Sequence, residues 1–311
     1  MSSTGPPCVR EYWLLHGAGV ALAALVAMGL EMHVAVFCFN LLLVLFTLPA
    51  FLIAKLCVLS GAVKPVCSGG LREQTVLVFT CLMWRVAMFC SFWVRLDIEG
   101  LKEFRSTLSA SGRPAVIISN HASFLDTILL VTFMPLAKQA RVKMLVSGHL
   151  LNMPIIGTIA TAMGHTSVPF KAMGADGTFE LDKELMAQRQ KEMELHVASG
   201  GIAGWFPEGT MNRGDVREVS TFRAGGFSLA VHLDLEVWCV AFHGNTTCWP
   251  RTAAVGGRPA RIGVKIFRLC DSTHAFVKDA KVDLSDERAA SIYLANTAHD
   301  QVQAAVKQLS S

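Results

Sequence analysis

A histidine and an aspartate in one short polar stretch have residue types and a spacing that suit proton transfer. The stretch is Asn120-His121-Ala122-Ser123-Phe124-Leu125-Asp126. On one continuous helix His121 and Asp126 would lie about 140° apart, so they meet only if a turn at His121 leads into a helix near Asp126. The carboxylate then accepts a hydrogen bond from one ring nitrogen and leaves the other free as a general base. The spacing therefore predicts a base with its orienting acid.

Other roles for this stretch remain open from the sequence alone. A metal site would need a third ligand, and the other histidines show no ligand spacing: His149, His165, His232 and His243. Ser123 could act as a nucleophile, but it lacks the glycine-flanked elbow that exposes a catalytic serine. Asn120, His121 and Asp126 could also merely cap a helix, and spacing does not separate that role from catalysis.

A second polar stretch, Phe206-Pro207-Glu208-Gly209-Thr210, has the composition of a binding turn. Pro207 stiffens the exit from a strand, and Gly209 permits a turn that other residues would strain. Exposed backbone amides and Thr210 could face an anionic group. Arginines that could neutralise a phosphate follow closely: Arg213, Arg217 and Arg223.

Short apolar runs alternate with helical patterns from about residue 96 onward. The pattern predicts strands at 116–119, 142–146, 202–206, 237–242 and 262–269, with helices near 125–134, 154–163, 179–198 and 223–233. A last helix is expected from Ser285, as its cap, to Leu309. This alternation is typical of an α/β domain with a central, mostly parallel sheet flanked by helices. Both polar stretches follow predicted strands, at the sheet edge where such domains bind ligands.

The N-terminal third is strongly apolar. The chain is 52% hydrophobic and 17% charged, which is too apolar for an ordinary soluble protein. Two runs, Leu14–Leu30 and Val34–Ala54, each approach the ~20 residues that a bilayer helix needs. We therefore expect membrane-anchoring helices in residues 1–95 and the α/β domain in residues 96–311. A cleavable signal peptide is a competing interpretation of residues 1–30, although no basic cluster precedes the apolar run.

A third apolar run, Thr75–Val94, has Arg85 near its middle. A lipid-facing arginine there costs about 2.5 to 3.5 kcal/mol, so spanning is disfavoured. The run could lie in the membrane interface, with Arg85 meeting lipid phosphates, or form a core-facing helix of the domain. Basic residues flank the first two runs: Arg10, Lys55, Lys64 and Arg72. They predict a site facing the cytoplasm, and we expect the membrane to be an endomembrane such as the endoplasmic reticulum.

Charge and cysteine content limit the partners. The net charge is only +4 and the basic residues are scattered, so nucleic acid is not an expected partner. An anionic lipid surface or a phosphorylated ligand fits better. The nine cysteines include no Cys-x-x-Cys pair, which favours buried reduced thiols over disulfides.

Taken in order, the two polar stretches resemble the glycerophospholipid acyltransferase family, and most nearly its lysophosphatidic acid acyltransferases. Asn120–Asp126 fits the family's histidine, four residues, aspartate signature, and Phe206–Thr210 fits its third motif. The resemblance implies acyl transfer from acyl-CoA, as a co-substrate, to the sn-2 hydroxyl of lysophosphatidic acid, giving phosphatidic acid. It implies His121 as general base, Asp126 as its partner, and no acyl-enzyme, metal or resident cofactor. Implied partners are acyl-CoA, a lysophospholipid acceptor and membrane lipids.

The same resemblance assigns candidate substrate-binding residues on the matching motifs and beside them: Asn120, Lys171, Phe206, Pro207, Glu208, Gly209, Thr210, Arg213 and Arg223. The chain departs from the family at three points. Met211 stands where a basic residue commonly follows the third motif, Lys171 ends the second motif in place of arginine, and 237–240 lacks the proline of the fourth. Glycerol 3-phosphate or another lysophospholipid is therefore an alternative acceptor. A lipid hydrolase and a non-catalytic lipid-binding protein also remain open.

Overall fold

The computed structural model describes residues 34–62, 69–153, 155–169 and 182–311. The predicted first apolar helix, Leu14–Leu30, lies outside these residues, as does Lys171. The described chain forms seven strands: β1 Val94–Glu99, β2 Ala115–Ser119, β3 Val142–Ser147, β4 Thr166–Val168, β5 Ile202–Trp205, β6 Glu236–His243 and β7 Ala260–Cys270.

Helices connect and cover these strands. The first seven are α1 Val34–Ala62, α2 Gly69–Cys90, α3 Leu101–Ala110, α4 Leu125–Phe133, α5 Leu136–Gln139, α6 Gly148–Leu151 and α7 Ile156–Ala162. The remaining α-helices are α8 Lys183–Ala198, α9 Ser228–His232, α10 Asn245–Cys248, α11 Thr273–Asp279 and α12 Glu287–Leu309. A 3-10 turn at Ala224–Phe227 precedes α9, so the helix predicted at 223–233 is two short pieces. Asp286 caps α12, and the predicted cap at Ser285 was wrong.

The strands form one sheet in the order β1-β7-β6-β2-β5-β3-β4. Every neighbouring pair is parallel except β6 and β7, which pair antiparallel. The predicted α/β class with a mostly parallel, helix-flanked sheet is thus confirmed. The prediction missed two strands, β1 and β4. Apolar clusters cover both faces of the sheet because side chains alternate along a strand: Ala115 and Ile117 of β2 join one, Val116 and Ile118 the other.

Two apolar helices precede the sheet. Their segments Val34–Leu59 and Gly70–Cys90, of 26 and 21 residues, are long and apolar enough to cross a membrane. One face of α1 packs on α2 and α7, and the indole of Trp84 donates to the hydroxyl of Thr47 across the helix pair. The opposite face of α1 is an exposed apolar stripe of residues three or four apart: Phe37, Leu41, Leu45, Leu48, Leu52 and Leu56.

Arg85 of α2 does not point toward lipid phosphates. Its guanidinium donates to the backbone carbonyls of Thr132 and Met134, at the end of α4. These carbonyls end a helix and have no intrahelical donors, so a cation there satisfies them. Of the two interpretations of this run, the contacts of Arg85 favour the core-facing helix, because α2 presents this side chain to the domain.

Candidate active site

The first polar stretch forms the connection from the carboxyl end of β2 to α4. Nδ1 of His121 lies 3.2 Å from Oδ2 of Asp126, so the turn predicted from their spacing is present. The Asp126 side chain is fully buried, whereas the His121 side chain is 17% exposed. The pair therefore has a buried acid and a partly exposed imidazole.

The loop around Asp126 satisfies its carboxylate. Oδ2 accepts hydrogen bonds from the backbone amides of Ala122 and Ser123, each 2.8 Å long, in addition to the contact with His121. Oδ1 accepts from the side-chain amide of Asn245. Asp126 does order the start of α4, but it also faces the imidazole, so capping alone does not account for the arrangement. A carboxylate held on four sides fixes His121 as the Nδ1–H tautomer.

The imidazole ring is held on one face by an aromatic ring. The rings of His121 and Phe206 stack with centroids 4.0 Å apart and planes 15° from parallel. Within the described residues, no hydrogen bond engages Nε2 of His121. The geometry thus leaves one lone pair available to take a proton from a bound hydroxyl.

Glu208 ties the two polar stretches together through its buried carboxylate. Its Oε1 accepts from the amide of His121 at 2.6 Å, and its Oε2 accepts from the amide of Ser220 at 3.0 Å. Its side chain is buried. Burial raises the pKa of this carboxyl, and the hydrogen bonds from His121 and Ser220 partly oppose that rise. The arrangement favours a positioning role over direct contact with an acceptor.

Gly209 and Thr210 of the second stretch form an exposed turn that follows the buried Pro207. Gly209 has φ +76°, and a Cβ there would lie 2.7 Å from Nε of Arg223. Pro207 is buried and accepts from the amide of Arg223 at 2.9 Å. Thr210 is exposed. The turn therefore brings the Arg223 side chain against Gly209, next to the His121 loop.

The three arginines differ in what engages them. The guanidinium of Arg217 pairs with Asp215 at 2.9 Å. Among the described residues, the exposed guanidinium groups of Arg213 and Arg223 make no hydrogen bond or ion pair. Arg213 and Arg223 are therefore the cations that a phosphate could engage without breaking an existing pair.

Two other candidates, Asn120 and Ser123, use their side chains to bond the backbone of neighbouring segments. Asn120 forms a reciprocal pair with the backbone of Phe242: its amide donates to the carbonyl and its oxygen accepts from the N–H. It fastens β2 to β6. The hydroxyl of Ser123 is buried and donates to the carbonyl of Trp249 at 2.7 Å, which makes it a poor nucleophile.

Asn245, Ser220 and Trp249 support the site but were not found from the sequence. They lie far along the chain from His121, in segments without a distinctive motif. The sequence did contain a weak indication of Asn245. Gly244 and Asn245 directly follow a predicted apolar strand, which is where ligand-facing turns occur. Within the described residues, no group of three His, Cys, Asp or Glu side chains could hold a metal ion.

Comparison with known proteins places these features in a family context. Residues 95–243 match the family model described as Acyltransferase. A chloroplastic 1-acyl-sn-glycerol-3-phosphate acyltransferase of Arabidopsis thaliana, LPAT1, is 30% identical over 172 residues, which cover 55% of this chain and 42% of that protein. Its Brassica napus counterpart BAT2 is 29% identical over 172 residues, covering 55% of this chain and 44% of that protein. The matched region thus spans less than half the length of these relatives.

A solved structure has the same fold. The 1-acyl-sn-glycerophosphate acyltransferase PlsC from Thermotoga maritima aligns with a TM-score of 0.54 at 16% identity. The alignment covers 88% of this chain and 98% of that one. At this identity the match supports the architecture of the sheet and its helices.

Proposed function

We propose, on the match of residues 95–243 to the family model described as Acyltransferase, that this chain transfers a fatty acyl group from acyl-CoA to the sn-2 hydroxyl of lysophosphatidic acid. The product is phosphatidic acid, a precursor in phospholipid biosynthesis. The observation that carries the proposal is the His121–Asp126 pair, with a fully buried acid and no hydrogen bond to Nε2 within the described residues.

The proposed reaction needs a base and a positioned acceptor. Nε2 of His121 takes the proton of the acceptor hydroxyl as its oxygen attacks the thioester carbonyl carbon. Asp126 stabilises the imidazolium that forms. The tetrahedral intermediate collapses by breaking the carbon–sulfur bond, and the coenzyme A thiolate leaves and receives the proton from His121. No covalent acyl-enzyme forms, consistent with the buried, hydrogen-bonded hydroxyl of Ser123. A thioester is activated enough that we propose neither a metal nor a resident cofactor.

The acceptor's phosphate is proposed to bind at the exposed turn that follows β5. Arg213 and Arg223 supply positive charge beside Gly209 and Thr210. A guanidinium contacts two phosphate oxygens at once, which would orient the hydroxyl toward His121. Lys171 is proposed to add a further positive charge. Because Met211 replaces the basic residue common at its position, we keep acceptors other than lysophosphatidic acid as alternatives.

We also propose that the enzyme works at a membrane surface. The exposed apolar stripe of α1 supports this, because a lipid acceptor and product remain in the bilayer. The basic residues flanking the apolar runs support a cytoplasm-facing site. We propose the endoplasmic reticulum as its membrane, whereas the curated relatives are named as chloroplastic. Imaging a tagged full chain with markers for both compartments decides between these locations.

Purified chain with labelled acyl-CoA and a panel of acceptors tests the activity. The panel is lysophosphatidic acid, glycerol 3-phosphate, lysophosphatidylcholine and no acceptor. We expect labelled phosphatidic acid, and its loss in His121→Ala. Equal rates on all three acceptors would contradict the specificity, and free fatty acid without acceptor would indicate a hydrolase. Unchanged transfer by His121→Ala would overturn the assignment of the base.

A further inference from the structure

Asn245 is the donor to the Asp126 oxygen that faces away from the catalytic histidine. Oδ2 of Asp126 already has three partners: the ring of His121 and the amides of Ala122 and Ser123. Among the described residues, the side chain of Asn245 supplies the hydrogen bond to Oδ1. Asn245 is only 2% exposed, so water cannot readily replace it. An uncompensated carboxylate oxygen at this depth would be costly.

The backbone around Asn245 fixes the direction of its side chain. Gly244 turns the chain from β6 into α10 with φ +83°, where a Cβ would collide with the carbonyl of Arg261. The amide of Trp249 donates to the carbonyl of Asn245 at 2.9 Å. The Gly244 turn fixes the start of α10 and the Trp249 amide fixes its end. The Asn245 backbone therefore has little freedom to turn the side chain away from Asp126.

The segment from Asn245 to Gly257 is anchored to the apolar helices. The side-chain amide of Asn40, in α1, donates to the carbonyl of Gly256 at 2.9 Å, and the indole of Trp93 donates to Gly257 at 2.9 Å. The rings of Phe39 and Trp249 meet edge to face at 6.2 Å. The same Trp249 carbonyl accepts from Ser123 in the catalytic loop. One segment therefore contacts both the catalytic loop and α1.

We propose that Asn245 is a positioning residue for acyl transfer: its amide orients the Asp126 carboxylate so that the carboxylate holds His121 as the Nδ1–H tautomer. This proposal rests on the proposed function, because it assigns Asn245 a part in the same His121-dependent step. Asn245 touches no substrate and acts through Asp126. Losing it leaves Oδ1 without its donor. The carboxylate then turns to share the donors on Oδ2 between both oxygens, which weakens its bond to His121, so His121 samples the tautomer in which Nε2 carries the proton and cannot act as a base.

Two substitutions at Asn245 test this with full-length protein. Asn245→Ala removes the donor, and Asn245→Asp keeps the shape while facing Asp126 with a second acceptor. We expect kcat to fall about 10- to 100-fold in Asn245→Ala, by analogy with the hydrogen-bond partners that orient metal-ligating histidines, and further in Asn245→Asp. KM for both substrates should change less than about 3-fold, since ground-state binding is untouched. Thr247→Ala, on the exposed side of the same helix, is the matched control and should keep wild-type kcat.

A readout independent of turnover is the tautomer of His121. Protein labelled with 15N-histidine should give a His121 signal, identified by its loss in His121→Ala, with the shifts of an Nδ1–H ring. In Asn245→Ala this signal should move toward a mixture of tautomers. An unchanged tautomer with unchanged kcat would overturn the proposal while acyl transfer stands. A changed tautomer in a protein without acyl transfer on any acceptor would overturn the proposed function and retain the positioning role.

Discussion

The backbone amide of His121 donates a 2.6 Å hydrogen bond to Oε1 of Glu208, a residue 87 positions later in the chain. The second oxygen of Glu208 accepts from the amide of Ser220. A single buried carboxylate thus fixes the catalytic loop to the turn after β5 and to the segment that follows it. Glu208 belongs to the motif expected to bind the acceptor, yet its geometry makes it a support for the histidine.

Glu208→Gln should weaken both fold and catalysis. The amide nitrogen of glutamine is a donor, so it would face the N–H of either His121 or Ser220 and leave that bond unmade. We expect a loss of about 1 to 3 kcal/mol in the free energy of unfolding and a lower kcat. Denaturant unfolding and initial rates measure these. Glu218→Gln is the control, because Glu218 is exposed and only loosely paired with Lys307. Equal stability of the two variants would contradict this role of Glu208.

His121→Ala should remove general-base catalysis and leave lipid binding. The expected decrease in kcat is about 10²- to 10⁴-fold, measured with saturating acyl-CoA and acceptor. Binding of lysophosphatidic acid to the variant should stay close to wild type, because the phosphate is held elsewhere. His232→Ala removes an exposed histidine and should have wild-type kcat. Comparable activity in the two histidine variants would refute the assignment.

Arg223→Ala should raise KM for a phosphorylated acceptor with little change in kcat. The Arg223 side chain lies against Gly209 and makes no ion pair within the described residues, so its charge is available to a phosphate. We expect a rise in KM of about 10-fold or more and a weaker dependence of KM on salt. Arg217→Ala, whose guanidinium already pairs with Asp215, is the matched control. A larger effect of Arg217→Ala would place the phosphate near Arg217.

Stability at acid pH should depend on His165. Burial, and secondarily Lys143, lowers the pKa of this imidazole from 6.5 to about 4. Between these values the unfolded chain binds more protons than the folded one, so stability is lost as pH falls from 6.5 toward 4. His165→Gln stays neutral and keeps an acceptor for the amide of Met144. Its Tm should therefore fall less than that of wild type over this range. Parallel Tm curves for the two proteins would show that His165 is not protonated on unfolding.

Local pattern alone predicted much of this protein. Alternating apolar runs identified five of the seven strands, because a buried strand or an amphipathic helix is encoded by near neighbours in the chain. The His121–Asp126 pair was predicted for the same reason, since five residues of turn suffice to bring the two side chains together. Strands β1 and β4 were missed: β1 alternates apolar and charged residues and so forms no continuous apolar run, and β4 has only three residues.

Tertiary structure decided what holds those residues. Asn245 is 119 positions from Asp126, and Ser220 meets His121 only through Glu208. Such contacts depend on strand order, which places β6 next to β2 and β5 on its other side. Arg85 likewise donates to a backbone carbonyl at the end of α4, a contact that its position in an apolar run did not indicate. The sequence determined the candidate catalytic residues, because their motifs are local, whereas the residues that hold them come from segments that only the folded sheet brings together.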